Sequence, residues 1–159
     1  MKKFITLNKY GELYIDKILF ETYFPIRFTC KNENNDIFIC VCCQCNENGC
    51  KWLVGRTNGS FIVRMLQNEI TIRQLLLDCC TEKISVDYKN QEYAIAYNNS
   101  DWNEESDYLP KKDAYIDAEG GEFDEEIAYF TSIEHVEYNE EYYKIIIKEL
   151  STIGNTIDP

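Results

Sequence analysis

The chain has 159 residues with a net charge of −12, and 45% of its residues are apolar. That is the length of one domain with a core of its own, and the composition excludes a disordered chain. No apolar run approaches the roughly 18 residues of a membrane span, and the run FITL in MKKFITLNKY is too short for a signal h-region. The expectation is a cytoplasmic protein with no membrane partner.

The charge is unevenly placed. Residues 101–143 hold fifteen Asp or Glu against Lys111 and Lys112, a net of −13, while the rest of the chain is close to neutral. A surface of one sign repels phosphate backbones and anionic lipid and attracts basic surfaces. Direct nucleic-acid binding is therefore not expected.

In chain order, LYIDKILF (13–20) and PIRFTC (25–30) read as strands, with Pro25 at a strand start because it cannot donate to a ladder. KNENND (31–36) is a turn cluster. IFICVCCQC (37–45) and CKWLVGRT (50–57) are the next two apolar runs. Asn48-Gly49 between them predicts a hairpin with positive φ at both central residues.

Two short helices follow. Ser60 is read as the N-cap of FIVRMLQ, with Phe61, Ile62, Met65 and Leu66 on one face. Thr71 and Gln74 make a capping box for ITIRQLLLDCC, with Ile70 and Leu75 as its staple. Ile72, Leu75, Leu76 and Cys79 supply one buried stripe. KISVDY (83–88) and EYAIAY (92–97) predict a second hairpin across KNQ.

Beyond Asn98 the sequence turns acidic and rich in turn residues. SDWNEESDYLPKKDAYIDAEGGEFDEE (100–126) is expected to be ordered loop with at most one short strand. EYYKIIIKEL (141–150) fits a last strand or a short helix, and 151–159 a frayed tail. The fold class expected is α+β. It is a mostly antiparallel sheet built from hairpins, with two short helices in the middle and an acidic, loop-rich C-terminal part. Residues 1–150 are read as one domain.

Five of the eight cysteines fall in FICVCCQCNENGCKW, residues 38–52. Cys40, Cys42, Cys43, Cys45 and Cys50 offer C-x-x-C spacings and a cysteine beyond a tight turn, which is how zinc knuckles begin. A second half is missing, since only Cys79, Cys80 and the lone His135 remain. The alternation of IFICVCCQC instead gives two apolar faces, as in a central strand covered on both sides, where cysteine acts as a small hydrophobe. The cysteines of 40–45 are expected to be reduced, mostly buried and metal-free. Cys45 and Cys50 face each other across the turn and could oxidise.

No cofactor is expected. GRTNGS (55–60) fits no phosphate loop, and DAEGGEFDEE (117–126) lacks EF-hand spacing. One histidine in an acidic setting gives little support to a catalytic thiol. The expected function is a non-catalytic acidic protein-binding domain, of the immunity, antitoxin or anti-defence inhibitor type, that pairs with a basic protein surface. Its candidate contact residues are Trp102, Glu104, Glu105, Asp107, Tyr108, Glu122, Phe123, Asp124, Glu125 and Glu126, aromatic anchors within a charged rim. The alternative is a small enzyme or zinc module using the cysteine cluster or His135.

Between residues 24 and 80, PIRF, Trp52-Leu53-Val54 and Ile70-Thr71-Ile72-Arg73-Gln74-Leu75 form a pattern. It resembles small uncharacterised bacterial domains of unknown function, in which a strand ending in a WLV-type motif leads through a short helix to a capped "LTLRDLF"-like helix. The resemblance implies an α+β domain and transfers no catalytic residue. The cysteine-rich strand and the acidic segment are not part of that pattern.

Overall fold

The computed structural model describes residues 1–137. The expected element at 141–150 and the tail at 151–159 lie outside the described residues. The fold is α+β. Seven strands form one antiparallel sheet in chain order: β1 Lys3–Leu7, β2 Gly11–Glu21, β3 Pro25–Lys31, β4 Ile37–Asn46, β5 Gly49–Thr57, β6 Glu82–Lys89 and β7 Glu92–Tyr97. Helices α1 (Gly59–Leu66) and α2 (Ile72–Asp78) connect β5 to β6. A 3-10 turn at Ser100–Trp102 and helix α3 (Asp124–Glu137) follow the sheet.

The sheet curls into a half-barrel. The β2–β3 register slips at three places, and such irregularities bend a strand and raise its twist. The curl brings Phe4 of β1 edge-on against Phe28 of β3 and Trp52 of β5, with ring centroids 5.1 and 5.5 Å apart. The inner face buries Leu7, Leu13, Phe28, Phe38, Val54, Ile84 and Val86 together with Cys30 and Cys40. The outer face buries Ile37, Ile39, Val41 and Leu53 against Ile62, Met65, Leu66, Leu75 and Leu76 of the helices. The first half of β4 is therefore covered on both sides, as its unbroken apolar run requires.

The Thr71–Gln74 capping box forms: Gln74 N donates to Thr71 Oγ1 at 3.0 Å, and Thr71 N donates to Gln74 Oε1 at 2.8 Å. The α1 cap lies two residues earlier than expected, at Asn58, whose Oδ1 accepts from Phe61 N at 3.0 Å. Asn58 has extended backbone (φ −138°), which frees its side chain to turn back onto the helix, whereas Ser60 already lies inside the first turn.

The β4–β5 turn is centred on Glu47-Asn48, because Asn46 pairs with Gly49. Gly49 serves a different end from the one expected. Its φ is +141°, and a Cβ there would collide with the Tyr88 carbonyl of β6. The strand-to-strand turn with two positive φ values is instead Asn90-Gln91 (52° and 64°), between β6 and β7.

Two elements were not expected from the sequence. β1 uses FITL as a strand. Among the described residues the acidic segment contains no strand, and it leads into α3, whose first turn is Asp124, Glu125 and Glu126. Acids at a helix N-terminus are stabilised by its unpaired amides, by roughly 0.3–1 kcal/mol each. Their density, read as a loop signal, is also a helix-start signal.

Candidate functional site

The described part of the acidic segment is held against the outer face of the sheet and the helices that cover it by contacts that range from buried to exposed. Lys51 on β5 is the first anchor. Its Nζ donates to Asp101 Oδ2 at 2.7 Å and to Asp87 Oδ2 at 3.1 Å, and it lies 4.8 Å from the centre of the Tyr108 ring. Asn99 caps the 3-10 turn, accepting from Asp101 N at 3.1 Å and from Ser85 Oγ at 2.8 Å. Burial alone would push the Asp101 carboxyl up, but hydrogen bonds from Lys51 and its neighbours outweigh that and hold it below its ordinary 3.8. Lys51 is held up by the same two carboxylates against the opposing effect of burial.

Trp102, one residue on, is only 5% exposed and packs over Gly55 and Cys80. Any side chain at 55 would collide with the Cys80 thiol, so the glycine makes room for that sulfur beneath Trp102. Further along, Arg73 of α2 donates to the carbonyls of Glu104 and Pro110, and Ile72 N donates to Ala114 O at 3.0 Å. Asn68, after α1, donates to Ala118 O at 3.2 Å and accepts from Ala118 N at 3.3 Å. α3 is held by Phe130 in the core and by Tyr129, which donates to Asp16 Oδ2 at 2.5 Å and accepts from Lys31 Nζ at 3.1 Å.

These anchors turn the segment's apolar groups and backbone inward and its carboxylates outward. Glu104, Glu105, Asp107, Glu122, Asp124 and Glu125 are all exposed, as are Asp113, Asp117 and Glu119. Among the described residues none of them forms an ion pair. Arg73 holds the backbone at Glu104, and Asn68 holds it at Ala118, ahead of the acids at 122–126.

Not every candidate contact residue belongs to that outward surface. Trp102 and Phe123 are 5% and 7% exposed and sit in the outer core, so they fix the segment to the sheet and do not offer contact area. Tyr108 is half-buried over Lys51. Glu126 has its Oε2 buried with no hydrogen-bond partner among the described residues. Sequence reasoning missed Asp101, Asn99 and Lys51 as the clasp; a lone lysine between apolar strand residues at 51 was the available signal.

The cysteines divide between the two faces. Cys30 and Cys40 meet in the inner core with sulfurs 3.7 Å apart. Cys43 is the extra residue where the β4–β5 register slips, and its thiol donates to the Lys51 carbonyl at 3.4 Å. Burial pushes Cys43 and Cys80 up to about 12. Such thiols stay protonated and are poor nucleophiles and poor metal ligands. Among the described residues no group of three or more Cys, His, Asp or Glu side chains could hold a metal. Cys45, expected to be reduced, is exposed and joined to Cys50 as a disulfide across the hairpin. The two residues are direct cross-strand partners, which brings the sulfurs together. His135 lies on α3.

Among the described residues no helix is long and apolar enough to cross a membrane. Compared with known proteins, the chain matches no family model, no curated protein and no solved structure.

Proposed function

We propose that this chain is a non-catalytic protein-binding domain whose acidic outer face pairs with a basic surface on a partner protein. The observation behind this reading is the set of exposed carboxylates at Glu104, Glu105, Asp107, Glu122, Asp124 and Glu125, none of them in an ion pair among the described residues, on a segment held by backbone hydrogen bonds from Arg73 and Asn68 and by buried Trp102 and Phe123. A fixed array of one sign speeds encounter with an opposite surface by roughly 10–10³-fold, and it loses little conformational entropy on binding because it is already ordered. Immunity proteins, antitoxins and inhibitors of nucleic-acid enzymes face targets with positive clefts, and this surface suits that class of partner. Burial keeps the Cys43 and Cys80 thiols protonated, which does not favour the alternative of a zinc module built on them.

The test is kinetic. A basic partner captured at low salt should associate more slowly as salt rises, with a smaller change in dissociation rate. Replacing the six carboxylates by amides should reproduce that slowing at low salt. A partner whose affinity ignores both salt and these substitutions would overturn the reading.

A further inference from the structure

The two edges of the sheet are unlike. β1 is short, slips register between Lys3 and Ile5, and follows Lys2 with Lys3. Such features discourage pairing with a further strand. β7 has none of them. It runs in unbroken register with β6, contains neither proline nor lysine, and among the described residues no strand covers its outer edge.

The hydrogen-bond phase of β7 shows which of its groups are free to pair. Asn98 N donates to the Lys83 carbonyl at 2.7 Å, and the register runs from Ile84↔Tyr97 to Lys89↔Glu92. In an antiparallel ladder this makes Ser85↔Ala96 and Asp87↔Ala94 the hydrogen-bonded pairs. The N–H and C=O groups of Tyr93, Ile95 and Tyr97 therefore point away from β6. The side chains of the same three residues lie on the inner face, opposite Tyr88, Val86 and Ile84, and are 47%, 38% and 38% exposed.

The occupant follows from the sequence of the strand itself. Residues 93–97 read YAIAY, the same in both directions. We infer that β7 pairs antiparallel with β7 of a second copy of this chain about a two-fold axis at Ile95. That register sets Ile95 against Ile95, Tyr93 against Tyr97 and Ala94 against Ala96 of the other copy. It joins every outward-pointing backbone group at 93, 95 and 97, since residue i meets j and j meets i in such an interface. Aromatic and β-branched cross-strand pairs are the favourable ones in a sheet. The one charged residue of the strand, Glu92, falls at opposite ends in the two copies, so no like charges meet. The contact joins two seven-stranded sheets on the side of β7, and the acidic segment on the outer face stays free.

Two strand edges make a small interface, so association is expected in roughly the micromolar to sub-millimolar range. Both copies carry a net charge of −12, so the association should strengthen as salt rises. Binding of a basic partner by the outer face changes with salt in the opposite sense, so the two readings can fail separately.

The experiment is sedimentation equilibrium of the full chain from about 1 µM to 1 mM, in low and high salt. The expected result is a monomer–dimer equilibrium that salt favours, with amide protection at 93, 95 and 97 rising with concentration. Ile95→Lys and Ile95→Glu should each weaken self-association at least about tenfold, because like charges then stand opposite at the axis. An equimolar mixture of the two variants should restore it. Unchanged urea midpoints would show that both variants are folded, and the wild-type concentration series needs no variant. A monomer throughout the range would overturn the inference. So would a dimer indifferent to both variants, a mixture that fails to pair, or amide protection independent of concentration, which would mean a cover from the same chain.

Discussion

Carboxylates on the sheet and carboxylates on the acidic segment differ in what surrounds them. Asp16, Asp36, Glu82 and Asp87, on the strands or the turns between them, each meet a lysine or arginine from a neighbouring strand or turn, and Asp101 is drawn down onto Lys51. From Glu104 to Glu125 none of the acids forms an ion pair among the described residues, and only Asp117 lies near enough to a cation, Arg27, to act on its charge. The same residue type thus serves cohesion in one region and a free field in the other. The dividing point is the 3-10 turn, where Asp101 and Trp102 face inward and Glu104 and Glu105 face out. Net charge alone cannot show this division, because a paired and an unpaired carboxylate count equally.

Removing the inward aromatics should break the comparison most severely. Trp102→Ala and Phe130→Ala should each cost about 3–5 kcal/mol in urea unfolding, the usual loss for a buried aromatic. A loss near zero for Trp102→Ala would mean that the acidic segment does not need its anchor. Next comes the clasp. Asp101→Asn removes a charge-assisted hydrogen bond worth about 1.5–3 kcal/mol and leaves Lys51 with Asp87 alone.

The pH dependence of that clasp has a definite sign. Asp101 titrates lower in the folded chain than in the unfolded one, so the unfolded state takes up the proton first. Its contribution is fully present above the ordinary carboxylate value of 3.8 and is lost as pH falls below it. The wild-type chain should therefore lose more stability than Asp101→Asn between pH 6 and roughly pH 3. Parallel losses in the two proteins would argue against a paired Asp101.

A smaller effect is expected at the helix that presents Arg73. Thr71→Ala should cost about 1 kcal/mol by removing the capping box. Amide exchange near Glu104 should rise as Arg73 loses its fixed position. The smallest effect on folding sharpens the contrast. Changing Glu104, Glu105, Glu122 and Glu125 to glutamine should leave the urea midpoint unchanged or slightly raised, because repulsion is removed and no pair is broken. A marked fall would show that these acids have partners after all.

Much of the sheet was legible because each strand carries its own signal. IFICVCCQC announced a strand with two apolar faces, and Thr71 with Gln74 announced a helix start; both hold in the structure. What was not legible depends on neighbours distant in sequence. Gly49 looked like a turn residue but is needed for its approach to Tyr88, which lies on another strand. Trp102 and Phe123 looked exposed because acids surround them, yet Asp101 turns inward with Trp102, and Phe123 is buried while Glu122 and Asp124 on either side stay exposed. α3 was hidden by the composition that starts it. FITL was weighed only as an export signal, and rejected as too short, and was not read for pairing, since a strand of five residues gains its identity only from the β2 strand beside it.

The order of strands across the sheet is the order in which they are made. Each new strand emerging during synthesis finds its partner already present and adjacent, joined through a short turn or, once, through two helices. Contacts of that kind close quickly, because little chain entropy is lost before they form. The acidic segment is made after all seven strands. By then Lys51, Arg73 and Lys31 are already in place on a folded surface, so a strongly self-repelling stretch of chain is never required to find its own shape. It is cast against a finished mould.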